Sequence, residues 1–354
     1  MQIVHDYRAL HAIPELDRNL PKTLAYIRNS LSSLSCHVFS PAEGALCAFF
    51  DFGQSSALAF RADMDALPIR EQTGLPWASQ HPGLMHACGH DGHCAILLEL
   101  ARRLSNENHL RHNCLLIFQP AEETTGGAEQ ICKAGVLTQY KVEAVFGLHL
   151  WPGLAKGILF SRPGVLMSRG QGMTVQFTGK AAHIARWQQG QDALMAACRF
   201  YRQADRLTNR IHLIKFGKLA GGSAGNIVCD KAQLQGSLRT LKSHEKAQKK
   251  LTALCAAVAR RTGCQGNILF ENGYPAVLNT PRLFQKAVAY FPLQHLKQAF
   301  FTTEDFSYYQ NRVPGLYCLL GLGDTPPLHS DRFAFDEKVL VTGADFFHTL
   351  ARKL

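Results

Sequence analysis

Apolar residues recur at helical spacing at the start of the chain: Ile3, Tyr7 and Leu10 before Pro14, then Leu24, Ile27, Leu31 and Leu34 after Pro21, a residue favoured at a helix start. Two opening helices are predicted. The pattern then changes to short, uninterrupted apolar runs at 45–52 (ALCAFFDF), 57–60 (ALAF), 114–118 (CLLIF), 144–147 (AVFG) and 316–323 (LYCLLGLG). Runs of this length read as buried strands. Helical segments separate most of them, notably Cys94 to Leu104 and Ala128 to Ala134. Strands alternating with helices predict an α/β fold with an open, largely parallel sheet and helices on its faces.

Between about 170 and 275 the order is strand, helix, strand, strand, helix, strand: GMTVQFTG, DALMAACRFYRQADRL, IHLIKFGKL, VCDKAQLQGSLRTL, HEKAQKKLTALCAAVARRT and QGNILFEN. This βαββαβ order is the ferredoxin-like unit. It predicts an inserted domain at 169–275, with the first domain assembled from 1–168 and 276–354. A length of 354 residues suits two domains.

Polar clusters follow four of the apolar runs: RADMD after ALAF, QPAEE after CLLIF, LHLWP after AVFG and PLHS after LYCLLGLG. Ligands of open α/β sheets collect at the carboxyl ends of strands, so one edge is predicted to carry the chemistry. Between two of these clusters, the eight residues from His86 to His93 hold three His, one Cys and one Asp, just before a predicted helix. So dense a mixture of metal-ligand types has few purely structural uses, although His93 and Cys94 also suit packing. Glu122 and Glu123 are adjacent carboxylates after a strand. Their side chains diverge, so one can hold a cation while the other faces substrate as acid or base. His149 and His329, single histidines at strand ends, complete a set of five N, S and O ligands with the cluster. Five exceeds the three protein ligands of a tetrahedral catalytic zinc. Two cations sharing a bridging ligand and a bridging water fit better.

Composition narrows the partners. The formal charge is +11, but the basic residues come as pairs and singles without aromatic interleaving, so no nucleic acid is expected. A basic field would attract a small anionic substrate. The opening residues carry His, Asp, Arg and Glu where a secretory signal needs an apolar stretch, and no apolar run approaches the roughly 18 residues of a membrane span. A cytoplasmic protein is expected. Its 11 cysteines, several inside apolar runs, suit reduced, buried thiols.

Nine stretches in order along the chain carry a resemblance: HAIPEL (11–16), RADMDALPIREQTGLP (61–76), MHACGHDGH (85–93), FQPAEE (118–123), GLHLWP (147–152), GKAAH (179–183), AGNIV (224–228), TTEDFSYY (302–309) and PLHS (327–330). The chain resembles the M20 metallopeptidase clan, in the branch of N-acyl-amino-acid amidohydrolases that includes aminoacylase-like, hippurate, auxin-conjugate and N-acetyldiaminopimelate hydrolases. The resemblance implies two divalent cations, zinc, manganese or cobalt, held by Cys88, His90, Glu123, His149 and His329 with Cys88 as bridge. It makes Glu122 the general base and places the carboxylates Asp63 and Asp65 behind the ligands. It also implies a lid and dimerisation role for the inserted domain, with His183 reaching the partner subunit's site to stabilise the oxyanion, and Asn226 and Arg239 gripping the substrate carboxylate. The pattern departs from the branch at Trp187, Gln188 and Cys229, where Pro, His and Pro are common. These departures bear on substrate choice. A di- or carboxypeptidase of the same clan and a catalytically silent metal-binding protein are the rival readings; Glu122 beside all five ligands argues against silence, because holding metal needs no base.

Overall fold

The apolar stripe of the first helix, Gln2–His11, buries Ile3, Tyr7 and Leu10, and that of the second, Pro21–Leu31, buries Ile27 and Leu31. They belong to a computed structural model that describes every residue from Met1 to Leu354. The chain divides into two units. The larger comprises Met1–Leu166, Val277–Gln298 and Asp305–Leu354, and the smaller Met167–Ala276 with Ala299–Glu304.

The larger unit is built on an eight-stranded sheet in the order His37–Phe39, Leu46–Phe50, Asn113–Gln119, Ala57–Asp63, Val142–Trp151, Gly315–Gly321, Leu159–Ser161, Leu293–His295. Its four central strands, from Asn113–Gln119 to Gly315–Gly321, run parallel to one another; Leu46–Phe50 and Leu159–Ser161 join them antiparallel on either side, His37–Phe39 pairs antiparallel with the first of these and Leu293–His295 parallel with the second. Three of these central strands are buried at every residue, as strands covered on both faces must be. Their apolar side chains join those of the helices His90–Ser105 and Leu340–Lys353 in one core.

Two boundaries differ from the sequence pattern. The strand begun by ALAF continues through Arg61 to Asp63, because the two charges neutralise each other inside it at 2.7 Å. The helix expected from Cys94 begins at His90, so the metal-ligand cluster supplies its first turn rather than preceding it. Gly89 makes that start possible: its φ of 83° lies in the left-handed region that disfavours side chains, and an added Cβ would stand 3.1 Å from Leu150.

The smaller unit pairs four antiparallel strands in the order Gln265–Phe270, Arg169–Thr178, Lys231–Thr240, His212–Gly221. Helices Ala193–Asp205 and His244–Thr262 pack on this sheet through Phe177, Phe200, Leu234 and Leu251. With the elements in βαββαβ order, this is the ferredoxin-like arrangement. The segment 299–304, which the sequence boundaries leave with the first domain, lies with the smaller unit. There Ser168 N–H donates to the carbonyls of Phe300 and Thr302, and Arg239 donates to that of Phe301. No helix is long and apolar enough to cross a membrane.

Candidate metal centre

The parallel strands deliver their polar clusters to one edge. Asp63 is the last residue of Ala57–Asp63 and lies level with Gln119, three residues before Glu122; His149 lies level with Leu319 in the neighbouring strand. The turn into the glutamate pair passes through Ala121 at φ 59°, and the turn carrying His329 puts that residue itself at φ 64°. Left-handed backbone at non-glycine residues costs on the order of 1–3 kcal/mol and is retained where neighbours enforce it. Here the neighbours are hydrogen bonds: Gly126 N–H to Ala121 O at 2.9 Å, and His329 N–H to Ala87 O at 2.8 Å.

The side chains of Cys88, His90 and His149 bring one ligand atom each within 4.8 Å of one another, and so do Cys88, Glu123 and His329. The two triads share Cys88. Its Sγ lies 3.4 Å from His149 Nε2, while Glu123 Oε1 lies 3.1 Å from His329 Nε2 and 3.9 Å from His90 Nε2. Glu122 also brings a carboxylate oxygen within 4.8 Å of His90 and Glu123 ligand atoms. Each buried histidine ligand is turned by a bond behind it. His90 Nδ1 donates to Asp65 O at 2.8 Å and His149 Nδ1 to Leu150 O at 2.7 Å, which directs both Nε2 lone pairs into the site.

These residues fit a pair of cations. His90 Nε2 and Glu123 Oε1 are buried without a hydrogen bond of acceptable geometry, a state that costs energy unless something else completes them. The local electrostatics agree. Burial, followed by the charge of Glu123 and Glu122, holds the Cys88 thiol well above its ordinary pKa, so a thiolate there requires an added positive charge. Burial alone would strip the proton from His90, yet Asp63, Asp65 and Glu123 together push it up to about 10. Burial lowers His149 to about 3, with His93 as the next contributor. Glu123 falls to about 2 against the opposing effect of burial, because His329 and His90 favour its charge.

His93 and Cys94 are tethers. His93 Nδ1 lies 2.5 Å from Asp63 Oδ1 while its Nε2 accepts Leu150 N–H at 3.0 Å, leaving no lone pair for a metal; Cys94 Sγ donates to Asp63 O at 3.1 Å. Asp65 accepts Glu122 N–H at 3.0 Å and Glu123 N–H at 3.1 Å, one on each carboxylate oxygen. It therefore orients the glutamate pair through its side chain and His90 through its carbonyl. Behind Asp63, the buried Arg61 donates to Gln119, Asp63 and Asp305 at 2.7–2.8 Å. His11 joins Asp91 at 2.6 Å and Glu71 at 3.3 Å. Arg61, Gln119, Asp305 and His11 all lie in sequence stretches singled out above, but no role was assigned to them. A charge inside a buried strand was the available signal.

The residues of the smaller unit are held more lightly. His183 is exposed, caps a short 3-10 turn by accepting Ala185 N–H at 3.2 Å, and bridges Ile227 next to Asn226, which is also exposed. Arg239 is half-buried in the strand Lys231–Thr240 and donates to Phe301 O at 2.9 Å. Trp187 stands exposed, while Cys229 is buried and donates to Lys231 O.

Comparison with known proteins places this geometry. The profile of peptidase family M20/M25/M40 matches residues 59–353. The N-acetyldiaminopimelate deacetylase of Shouchella clausii (strain KSM-K16) is 32% identical over 362 residues, covering 96% of this chain and 94% of the relative. The N-acetyl-L-cysteine deacetylase of Bacillus subtilis (strain 168) is 32% identical over 368 residues, covering 100% and 88%. A Bacillus subtilis crystal structure described as a dinuclear metal-binding peptidase from the M20 family superposes with a TM-score of 0.89 at 28% identity, covering 99% and 96%. The chain thus belongs to peptidase family M20/M25/M40 and is a hydrolase of amide bonds.

Proposed function

We propose that the protein is a two-metal amidohydrolase that removes the acyl group from small N-acylated amino acids, releasing a carboxylate and a free amino acid. The observation that carries this reading is the pair of ligand triads sharing Cys88, with the Glu122 carboxylate beside both. The names of two full-length relatives, deacetylases of N-acetyldiaminopimelate and of N-acetyl-L-cysteine, support the substrate class. Cys88, His90, Glu123, His149 and His329 would hold two divalent cations, whose chemistry would be to lower the pKa of a bound water and polarise the amide carbonyl. Glu122 takes the proton of the attacking water and returns it to the leaving nitrogen. Asp65 keeps Glu122 and Glu123 in register through their amides. His183 donates to the developing oxyanion, and Arg239 with Asn226 holds the substrate carboxylate. The mixed S, N and O donor set suits zinc, manganese or cobalt.

In this reading the enzyme works as a homodimer joined through the smaller unit, with His183 serving the partner subunit's site. Exposed Ile184, Trp187, Leu219 and Ile227, together with the edge strand His212–Gly221, support that interface. Eleven unpaired cysteines, most of them buried, support a reducing, cytoplasmic setting. The test is amine release from N-acetyl, N-benzoyl and N-succinyl amino acids, assayed with each cation restored to stripped enzyme. Turnover of dipeptides with a free amino terminus that exceeds turnover of every N-acyl amino acid would move the assignment to a peptidase. No hydrolysis with any cation would leave a metal-binding protein without catalysis.

A further inference from the structure

The formal charge of +11 is unevenly distributed. The smaller unit holds 17 Lys and Arg against 6 Asp and Glu, and the larger unit holds 21 of each, so the entire excess belongs to the smaller unit. Within it, basic residues gather where one helix ends and the other begins. Arg202 and Arg206 close the helix Ala193–Asp205, Arg210 follows in the turn, and Lys242, Lys246, Lys249 and Lys250 surround the start of His244–Thr262. All seven are exposed, and none pairs with a carboxylate. The nearby acids are committed elsewhere: Asp205 to Lys215 at 2.5 Å and Glu245 to Arg169 at 3.1 Å.

A cavity of about 130 Å³ opens among these cations, lined by Arg206, Asn209, His212 and Lys250 with Leu207 and Ile214. Its frame is fixed. Asn209 Oδ1 accepts the N–H groups of Ile211 and His212 at 2.9 and 3.1 Å, its Nδ2 donates to Leu207 O at 3.0 Å, and His212 Nε2 donates to Lys242 O at 3.0 Å. The last bond ties the turn to the start of the second helix. The volume is about four times the ~30 Å³ share of a liquid water, which suits one tetrahedral oxyanion. It is well below the roughly 300–1,000 Å³ of sites for drug-sized ligands. An Arg fork and a Lys ammonium together match the oxygens of a phosphoryl group. No Phe, Tyr or Trp lines the cavity to stack a base, as single-stranded nucleic acid would require, and the His212 ring is tied to Lys242 O.

We propose that this cavity is a binding site for the phosphate group of a small phosphorylated molecule or of free phosphate, separate from the hydrolytic centre. The probe is inorganic phosphate, titrated calorimetrically into the metal-loaded protein at constant ionic strength. Arg206→Gln/Lys250→Gln is compared with Arg260→Gln/Arg261→Gln, which removes the same charge from the far end of the second helix. The first pair is expected to weaken one phosphate-binding event per chain at least about tenfold, and the second to leave it within about twofold. Retained amide hydrolysis in both variants certifies their fold, and phosphate bound at the metals would respond equally in both. Repeating the titration with a sugar phosphate separates the two sources: tighter binding that is lost in the first pair assigns the site to a phosphorylated molecule, and equal affinity assigns it to free phosphate. An equal loss in the two pairs, no loss in either, or displacement of phosphate by duplex DNA with a steep salt dependence would overturn the proposal.

Discussion

The ligand-type side chains of the larger unit and the substrate-facing candidates of the smaller one are secured very differently. His90 and His149 are each turned by a carbonyl behind them, and both glutamate amides end on Asp65; behind Asp63, the guanidinium of Arg61 has three bonded neighbours. His183 and Asn226, by contrast, are exposed, and the His183 ring is held by one local N–H. The difference follows from what each group must do. Metal ligands and a general base must keep their separations to within about 0.5 Å, which a bonded, largely buried frame maintains. Groups that meet a substrate, or complete a neighbouring subunit's site, gain their remaining contacts from that encounter.

The largest expected effect comes from breaking the rigid side. Chelation should abolish amide hydrolysis and added divalent cation restore it. Glu122→Gln should lose roughly 10²–10⁴-fold in turnover with both cations retained, whereas Glu123→Gln should lose cation as well. Metal content by elemental analysis beside kcat separates the two, and equal metal loss in both variants would show the pair misassigned.

Next comes the frame itself. Asp65→Asn replaces one of the oxygens that accept the Glu122 and Glu123 amides with a donor, and a loss of about 10–100-fold in metal affinity or activity is expected. Wild-type affinity and rate in that variant would mean that the turn holds its own shape.

The lightly held side is tested by mixing. If His183 acts across a dimer, combining inactive His183→Ala with inactive Glu122→Ala subunits restores about a quarter of wild-type activity, since half the dimers are mixed and each contains one complete site. Absence of recovery, with subunit exchange demonstrated, would return His183 to its own chain.

The smallest effect concerns stability. Asp91 and Glu71 outweigh the cost of burying His11 and raise it to about 10. Because this folded value exceeds the roughly 6.5 of a free histidine, its stabilisation is whole below about pH 6.5 and is lost as pH rises through about 10. Urea unfolding of the metal-free protein from pH 6 to 10 should therefore show a fall that His11→Gln reduces by on the order of a few kcal/mol, the remainder belonging to groups such as His90, which is also raised to about 10. A parallel fall in the variant would assign the pH dependence to other groups.

Much of this organisation was legible in the chain. The four apolar runs of the central strands announced themselves because residues buried on both faces leave no polar alternation, and their polar sequels fell on one edge because parallel strands end together. The start of the ligand helix at His90 was missed because HDGH has no apolar stripe; its burial comes from neighbours distant in sequence, such as Leu150 against Gly89. Arg61 looked like the end of a strand because charge normally marks a surface.

Periodicity and residue type thus determined the two architectures, the βαββαβ insertion and the candidate ligand set, since each depends on neighbours within a few positions. Tertiary structure decided which lone pairs face the site, which histidine is a tether, and where the charge accumulates. Those outcomes rest on pairs such as Arg61 and Asp305, 244 residues apart, whose meeting no local pattern encodes. A buried charge is tolerable only beside its partner, and only the folded chain brings the partner there.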